Sequence, residues 1–88
     1  MEFRQKPIII EAVQFTGNNS AECMAFCPVA QVRDEINPCL IIRTEKWYEL
    51  CPEGDWIIKD IRGEFFPCRK DLFEMRYEPV PAQKKISR

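Results

Sequence analysis

Histidine, long apolar runs and an excess of one charge are all missing from this chain of 88 residues. Without histidine it lacks the side chain that most often serves as a general base or proton shuttle near neutral pH, which weighs against catalysis. The longest apolar run, Cys23–Cys27, has five residues and is too short to cross a bilayer, and the N-terminal MEFRQKPIII has no signal-peptide core. A net charge of −1 argues against a protein whose main task is to follow a phosphate backbone.

Cysteine is plentiful by contrast. The five positions are Cys23, Cys27, Cys39, Cys51 and Cys68. Their odd number and the missing export signal predict reduced thiols that pack as small apolar side chains. The alternatives are a zinc site that starts from Cys23 and Cys27, and a reactive Cys68 beside Arg69 and Lys70. The wide spacing of the other cysteines and the lack of a histidine base oppose both, so we predict no metal, no cofactor and no catalytic residue.

The N-terminal half predicts one strand followed by one helix. Ile8–Thr16 is rich in strand formers and apolar on both faces, which predicts a central strand covered on both sides. Asn19 and Glu22 form a capping-box pair before a short helix, Ser20–Cys27, which Pro28 ends.

The remaining chain predicts an edge strand and then two consecutive hairpins. The expected segments are an edge strand at 31–33, strands at 40–44 and 47–51, strands at 56–59 and 64–67, and a helical turn at 69–75. The turn Pro52-Glu53-Gly54-Asp55 is the clearest turn signal. We therefore predict a single α+β domain over residues 1–80, with a small, mainly antiparallel sheet and one short helix packed on it. A sheet that curls toward a partial barrel is one form that this prediction allows, and residues 81–88 form a polar, basic tail that we expect to be disordered or extended.

Six polar or aromatic residues are difficult to explain as core, and we predict that they bind a partner. They are Glu11, Gln14, Tyr48, Trp56, Arg62 and Glu64. Aromatic side chains interleaved with arginine are typical of base-stacking surfaces and of protein interfaces alike. The competing interpretation makes Glu11 a paired or rim-exposed charge, most aromatics core, and Arg62 a solvated turn residue.

Two segments resemble a family of small, mostly uncharacterised proteins of phages and prophages. They are FRQKPIIIEAVQFTG and PEGDWIIKDIRGEFFPCRKDLFEMRYEPV, and family members carry stretches like RKKPVVIEAVQ and PGDWIIKGVKGEFYPCKPDIFEKTYE. The matching positions are Lys6, Pro7, Glu11, Ala12, Gln14, Pro52, Gly54, Asp55, Trp56, Gly63, Glu64, Phe65, Pro67, Cys68, Asp71, Phe73 and Tyr77. The chain departs from the pattern by inserting Glu53 and by having Asp60 in place of glycine. It also has Arg69-Lys70-Asp71 where the family tends to place Lys-Pro-Asp.

The resemblance implies a protein that works in the cytoplasm of an infected bacterium. We expect a non-enzymatic binding protein that inhibits a host factor, such as an antiphage defence system, by occluding a surface or capturing a ligand. The alternative is a nucleotide or nucleic-acid binding accessory protein, and a virion component is a further possibility. A domain this small leaves a sheet face or strand edge uncovered, so we also expect a homodimer and no membrane partner.

Overall fold

The computed structural model describes residues 1–4, 7–34 and 36–80, so the predicted tail at 81–88 and the family match at Lys6 lie outside the described residues. Six strands and two helices lie within those ranges. In chain order they are β1 (Glu11–Gln14), α1 (Ser20–Phe26), β2 (Ala30–Asp34), β3 (Cys39–Arg43), β4 (Tyr48–Pro52), β5 (Trp56–Lys59), β6 (Phe65–Cys68) and α2 (Lys70–Arg76).

The strands form two antiparallel three-stranded sheets, ordered β1-β5-β6 and β2-β3-β4. The α+β prediction is confirmed, as are the two consecutive hairpins, β3–β4 and β5–β6. The structure differs from the prediction in two respects. The strands divide between two sheets, which do not close into a barrel. The helical turn predicted after β6 is a second helix, as long as the first.

The main core lies between the two sheets and α1. One sheet contributes Phe15 and Ile57, the other contributes Leu40 and Ile42, and all four side chains are fully buried. The rest of this core comes from small or partly buried side chains, which are Cys23, Cys27, Ala30, Cys51, Val13, Phe26, Val32 and Phe65. Burying an aliphatic or aromatic side chain contributes about 1.5–3 kcal/mol, so this layer is the principal source of stability.

The first strand is shorter than predicted and lies at the edge of its sheet. Strand β1 pairs only with β5, in a register that sets Glu11 opposite Lys59. Lys59 is the last residue of β5, and the chain turns at Asp60. Ile8–Ile10 therefore extend past the end of their neighbour, so the prediction of a central strand over Ile8–Thr16 was wrong.

Helix α1 begins at the predicted residue, although the capping chemistry differs from a capping box. The Asn19 amide Nδ2 donates to the Gln14 carbonyl at 2.8 Å and to Glu22 Oε1 at 2.9 Å. Its Oδ1 accepts hydrogen bonds from the Thr16 N–H and hydroxyl, at 2.9 and 3.2 Å. Asn19 therefore ties the turn to the end of β1 instead of capping a free helix N–H.

The turn at 52–55 joins three parts of the chain. Phe15 N–H donates to the Asp55 carbonyl at 2.9 Å, and Gly54 N–H donates to the Phe15 carbonyl at 2.7 Å. Gly54 takes a φ of +97°, which glycine adopts without a Cβ penalty. The Asp55 carboxylate Oδ1 accepts the N–H of Lys70 at 3.1 Å, in the first turn of α2. The turn thus positions both β1 and α2.

We predict that Asn19→Ala lowers the free energy of unfolding by about 1–3 kcal/mol, because it removes the hydrogen bonds that join the turn to β1. Urea denaturation followed by circular dichroism measures the change. Asn18→Ala is the matched control, since Asn18 is exposed in the same turn, and it should change stability by less than about 0.5 kcal/mol. Equal losses in the two variants would contradict the role assigned to Asn19.

Candidate functional site

An apolar groove lies on the outer face of the β1-β5-β6 sheet, away from the main core. Ala12 and Trp56 form its floor, Ile8–Ile10 form one wall, and Phe73 and Tyr77 form the other. The chain after α2, from Glu78 to Val80, lines one end, and the groove encloses about 490 Å³. A volume of this size is in the range of natural ligand-binding clefts.

Strand alternation explains why a second apolar layer exists. Successive residues of a strand point to opposite faces, so Ile57 enters the main core while Ile58 points to the groove side. Both isoleucines are buried, at 0% and 1% exposure. Ile58 pairs with Ala12 on one side and with Phe66 on the other, which makes this face as apolar as the face that packs in the core.

Helix α2 packs on this face through an aromatic stack. The Trp56 and Phe73 rings lie nearly parallel, 7° apart, with centroids 4.0 Å from each other. Tyr77 follows one turn later, with its ring centroid 5.0 Å from that of Phe73. Offset-stacked aromatic pairs contribute about 0.5–1.5 kcal/mol beyond the area that they bury. The stack therefore holds α2 on the sheet and fixes one wall of the groove.

The Trp56 indole N–H is buried and has no hydrogen-bond partner in the part of the chain that the structure describes. Trp56 is otherwise half-buried and lies on the groove floor. A buried donor without an acceptor costs about 1–3 kcal/mol. Trp56 therefore contributes to the floor through the apolar surface of its ring and its stacking on Phe73.

The charged side chains at the border of the groove are mainly acidic. Among the described residues that line it, Glu74 and Glu78 carry the charges, and both are exposed. A second depression of about 500 Å³ continues the groove past Tyr77, between Ile8 and Phe66, with Asp60 and Arg76 at its rim. The groove is therefore an apolar surface with a mainly acidic border.

Only one of the six residues predicted from sequence to bind a partner, Trp56, lines this groove. Gln14 lies opposite Trp56 in the neighbouring strand, where its amide Nε2 donates to the Gly54 carbonyl at 2.9 Å. Glu11 is exposed at the start of β1, opposite Lys59. Gln14 thus supports the turn that positions Trp56.

The other three predicted residues lie elsewhere. Arg62 and Glu64 form an exposed ion pair at 3.1 Å in the β5–β6 turn, where Asp60 Oδ1 accepts both of their backbone N–H groups at 2.9 Å. Tyr48 is in the other sheet and is 55% exposed. The six residues therefore do not form one continuous surface.

Sequence reasoning missed Ile8–Ile10 and Tyr77 as site residues. The isoleucine run was interpreted as a buried strand, although Ile8 and Ile9 are 52% and 73% exposed. Pro7 immediately before the run is a signal that could have placed these residues at the edge of the sheet, because proline is confined to edge strands, strand starts and bulges. The sequence also has no turn signal there that would bring a partner strand back beside the run.

The thiols are shielded by burial, which raises their pKa values. Desolvation raises the pKa of Cys51 to about 12, with a smaller contribution from the Asp55 carboxylate, and raises the pKa of Cys23 to about 11. Desolvation also raises the pKa of Cys27 and of Cys68. A nucleophilic cysteine needs a lowered pKa, so these four thiols are chemically suited to packing.

No protein-family model, curated protein or solved structure matches this chain. Across residues 1–4, 7–34 and 36–80, no helix is both long and apolar enough to cross a bilayer. The same residues contain no group of three or more histidine, cysteine, aspartate or glutamate side chains arranged to hold a metal ion.

We predict that the free energy of unfolding falls as pH rises from about 9 to 11. Unfolded thiols ionise near pH 9, whereas the buried Cys23 and Cys51 stay protonated until about pH 11 and 12, so alkali stabilises the unfolded chain. Urea denaturation at stepped pH measures the slope. Cys51→Ala should reduce the slope to the part that Cys23 contributes, while Ile42→Val, a core substitution without a thiol, should lower stability and keep the slope. A wild-type slope retained by Cys51→Ala would contradict this assignment.

Proposed function

We propose that this protein is a non-enzymatic binding protein that holds a short apolar segment of another protein in the groove. The resemblance to phage and prophage proteins makes the proposed partner a host factor, such as a component of an antiphage defence system, in the bacterial cytoplasm. The proposed action is occlusion of the surface to which that apolar segment belongs.

The observation that carries the proposal is an apolar groove whose walls remain exposed. Ile9 and Val80 both line it and are 73% and 63% exposed. Burying a side chain of this size contributes about 1.5–3 kcal/mol, and association must first offset the loss of translational and rotational freedom. Several such contacts in one groove are therefore needed, and the groove supplies them together.

The acidic border indicates the chemistry of the partner. Glu74 and Glu78 favour a segment that carries Lys or Arg next to its apolar residues, because opposite charges increase the association rate and disfavour acidic competitors. The expected ligand is thus an apolar peptide with a basic flank.

A nucleotide binder is the second candidate, and one observation favours it. Tyr48 and Arg43 line a shallow depression of about 250 Å³ on the other sheet, together with Pro28 and Gln31. An exposed aromatic ring beside an arginine can stack a base and pair with a phosphate. At the groove itself a nucleotide is disfavoured, because the Trp56 ring already stacks on Phe73 and the bordering carboxylates repel phosphate.

We predict that a random-peptide display library selected on the purified protein yields sequences with two or more apolar residues flanked by Lys or Arg. Affinities of synthetic peptides for the protein are then measured by calorimetry. Val80→Ser should weaken binding about tenfold, which corresponds to about 1.4 kcal/mol. Glu78→Lys should weaken binding as well and should reduce its dependence on salt.

Matched controls lie outside the groove. Ile36→Ser replaces an apolar residue that is even more exposed than Val80, at 88%, and Glu45→Lys reverses an exposed charge near the β3–β4 turn. Arg62→Ala tests the predicted contact at the β5–β6 turn, and Tyr48→Ala tests the second candidate. Peptides that bind all groove variants normally would contradict the proposal, and nucleotide binding lost in Tyr48→Ala would support the alternative.

A further inference from the structure

The outer edge of β1 is open for strand pairing. Phe15 donates to the Asp55 carbonyl, and antiparallel hydrogen bonds alternate along a strand, so Val13 and Glu11 also bond toward β5. Ala12 and Gln14 consequently direct their backbone groups away from the sheet. The Gln14 carbonyl accepts the Asn19 amide, whereas Ala12 N–H and C=O have no partner among the described residues.

The other three outer strands carry features that hinder pairing. The register places Pro67 of β6 and Pro52 of β4 at positions whose nitrogen faces outward, where each edge lacks a donor. Strand β2 has an irregular register between Val32 and Asp34, and its Ala30 N–H donates to the Cys27 carbonyl at 3.0 Å. Natural sheets use prolines and bulges of this kind to prevent association at edges. Strand β1 has neither.

We propose that β1 pairs with β1 of a second copy of this chain, antiparallel about a two-fold axis, with Ala12 opposite the partner's Ala12. Both Ala12 residues direct their N–H and C=O toward the axis, so each can donate to and accept from its counterpart. The same register sets Ile10 opposite the partner's Gln14 and Glu11 opposite the partner's Val13. The result is one continuous sheet, ordered β6-β5-β1-β1-β5-β6.

Neighbouring registers are less favourable. A shift toward the N-terminus sets Glu11 opposite the partner's Glu11, and like charges directly opposite each other destabilise a strand pair. A shift toward the C-terminus brings Ile8 and Ile9 against Asn18 and Gly17 of the other copy, where the chain turns away toward α1. The Ala12 register avoids both problems.

The first experiment measures mass by light scattering from micromolar concentration upward. The wild-type chain should reach twice 10.4 kDa. Ala12→Pro removes the outward N–H without touching a bond to β5, and should return the mass to 10.4 kDa with the circular dichroism spectrum unchanged. Leu50→Pro is the matched control at an outward position of β4, and should remain dimeric.

The second experiment tests the register and is independent of the proline variants. Hydrogen-bonded antiparallel partners lie about 5.5 Å apart at Cα, a separation that suits a disulfide. Ala12→Cys should therefore cross-link to itself under mild oxidation. Gln14→Cys should not, because the two Gln14 positions are about 13 Å apart in this register. The wild-type chain, oxidised in the same way, shows how much cross-linking the native cysteines cause.

The two experiments decide the proposal together and do not depend on what occupies the groove. A wild-type monomer at every concentration would overturn it, including the case in which residues 81–88 cover the same edge. A dimer that persists in Ala12→Pro would overturn it too, as would cross-linking of Gln14→Cys in preference to Ala12→Cys. If Ala12→Pro does not fold, cross-linking of Ala12→Cys alone supports or overturns the pairing.

Discussion

The hydrogen bonds between Phe15 and the turn at Gly54 and Asp55 are the constraint on which the rest of the molecule depends. They join residues about 40 positions apart in sequence, and fix the register in which β1 lies on β5. The Gln14 amide reinforces this junction by donating to the Gly54 carbonyl, and the Asp55 carboxylate positions α2 by accepting from Lys70. Closing so long a loop costs entropy, which several bonds formed at one turn offset together. The Phe15 side chain, fully buried, adds the apolar contribution at the same point.

From this junction follows a sheet that is apolar on both faces. Strand β5 sends Ile57 into the core between the sheets and Ile58 to the opposite side, where Phe73 of α2 stacks on Trp56 and Tyr77 lines the same depression as Ile58. One seven-residue helix is too short to cover a whole sheet face, so the space between α2 and Ile8–Ile10 remains open. The groove is therefore the part of this sheet face that a single short helix leaves uncovered in a small domain.

Local signals in the sequence predicted the elements well, because their causes are local. Pro28 ended α1 near the predicted residue, and the turns at 52–55 and 60–63 placed both strands of the second hairpin. The division into two sheets and the edge position of β1 were not predicted, since both depend on which distant strands pair. The residues of the candidate site were predicted incompletely for the same reason. Trp56 was predicted from the sequence to bind a partner and lines the candidate groove, but the wall at Ile8–Ile10 could be recognised only once the register with β5 showed that these residues extend past the sheet.

The open edge and the groove share residues, which couples the two proposals physically. Ile8–Ile10 form a wall of the groove, and in the proposed dimer the same segment continues the pairing of β1. In the single chain this segment belongs to no strand or helix, so a ligand that binds against it must hold it in place. Pairing with a second copy would fix Ile10 before the ligand arrives and would reduce the ordering cost of binding. Because such coupling is reciprocal, a peptide that binds more tightly to the dimer must also strengthen the dimer by the same factor. The edge left open on β1 would then serve the groove beside it, which gives a physical reason for leaving this edge unblocked.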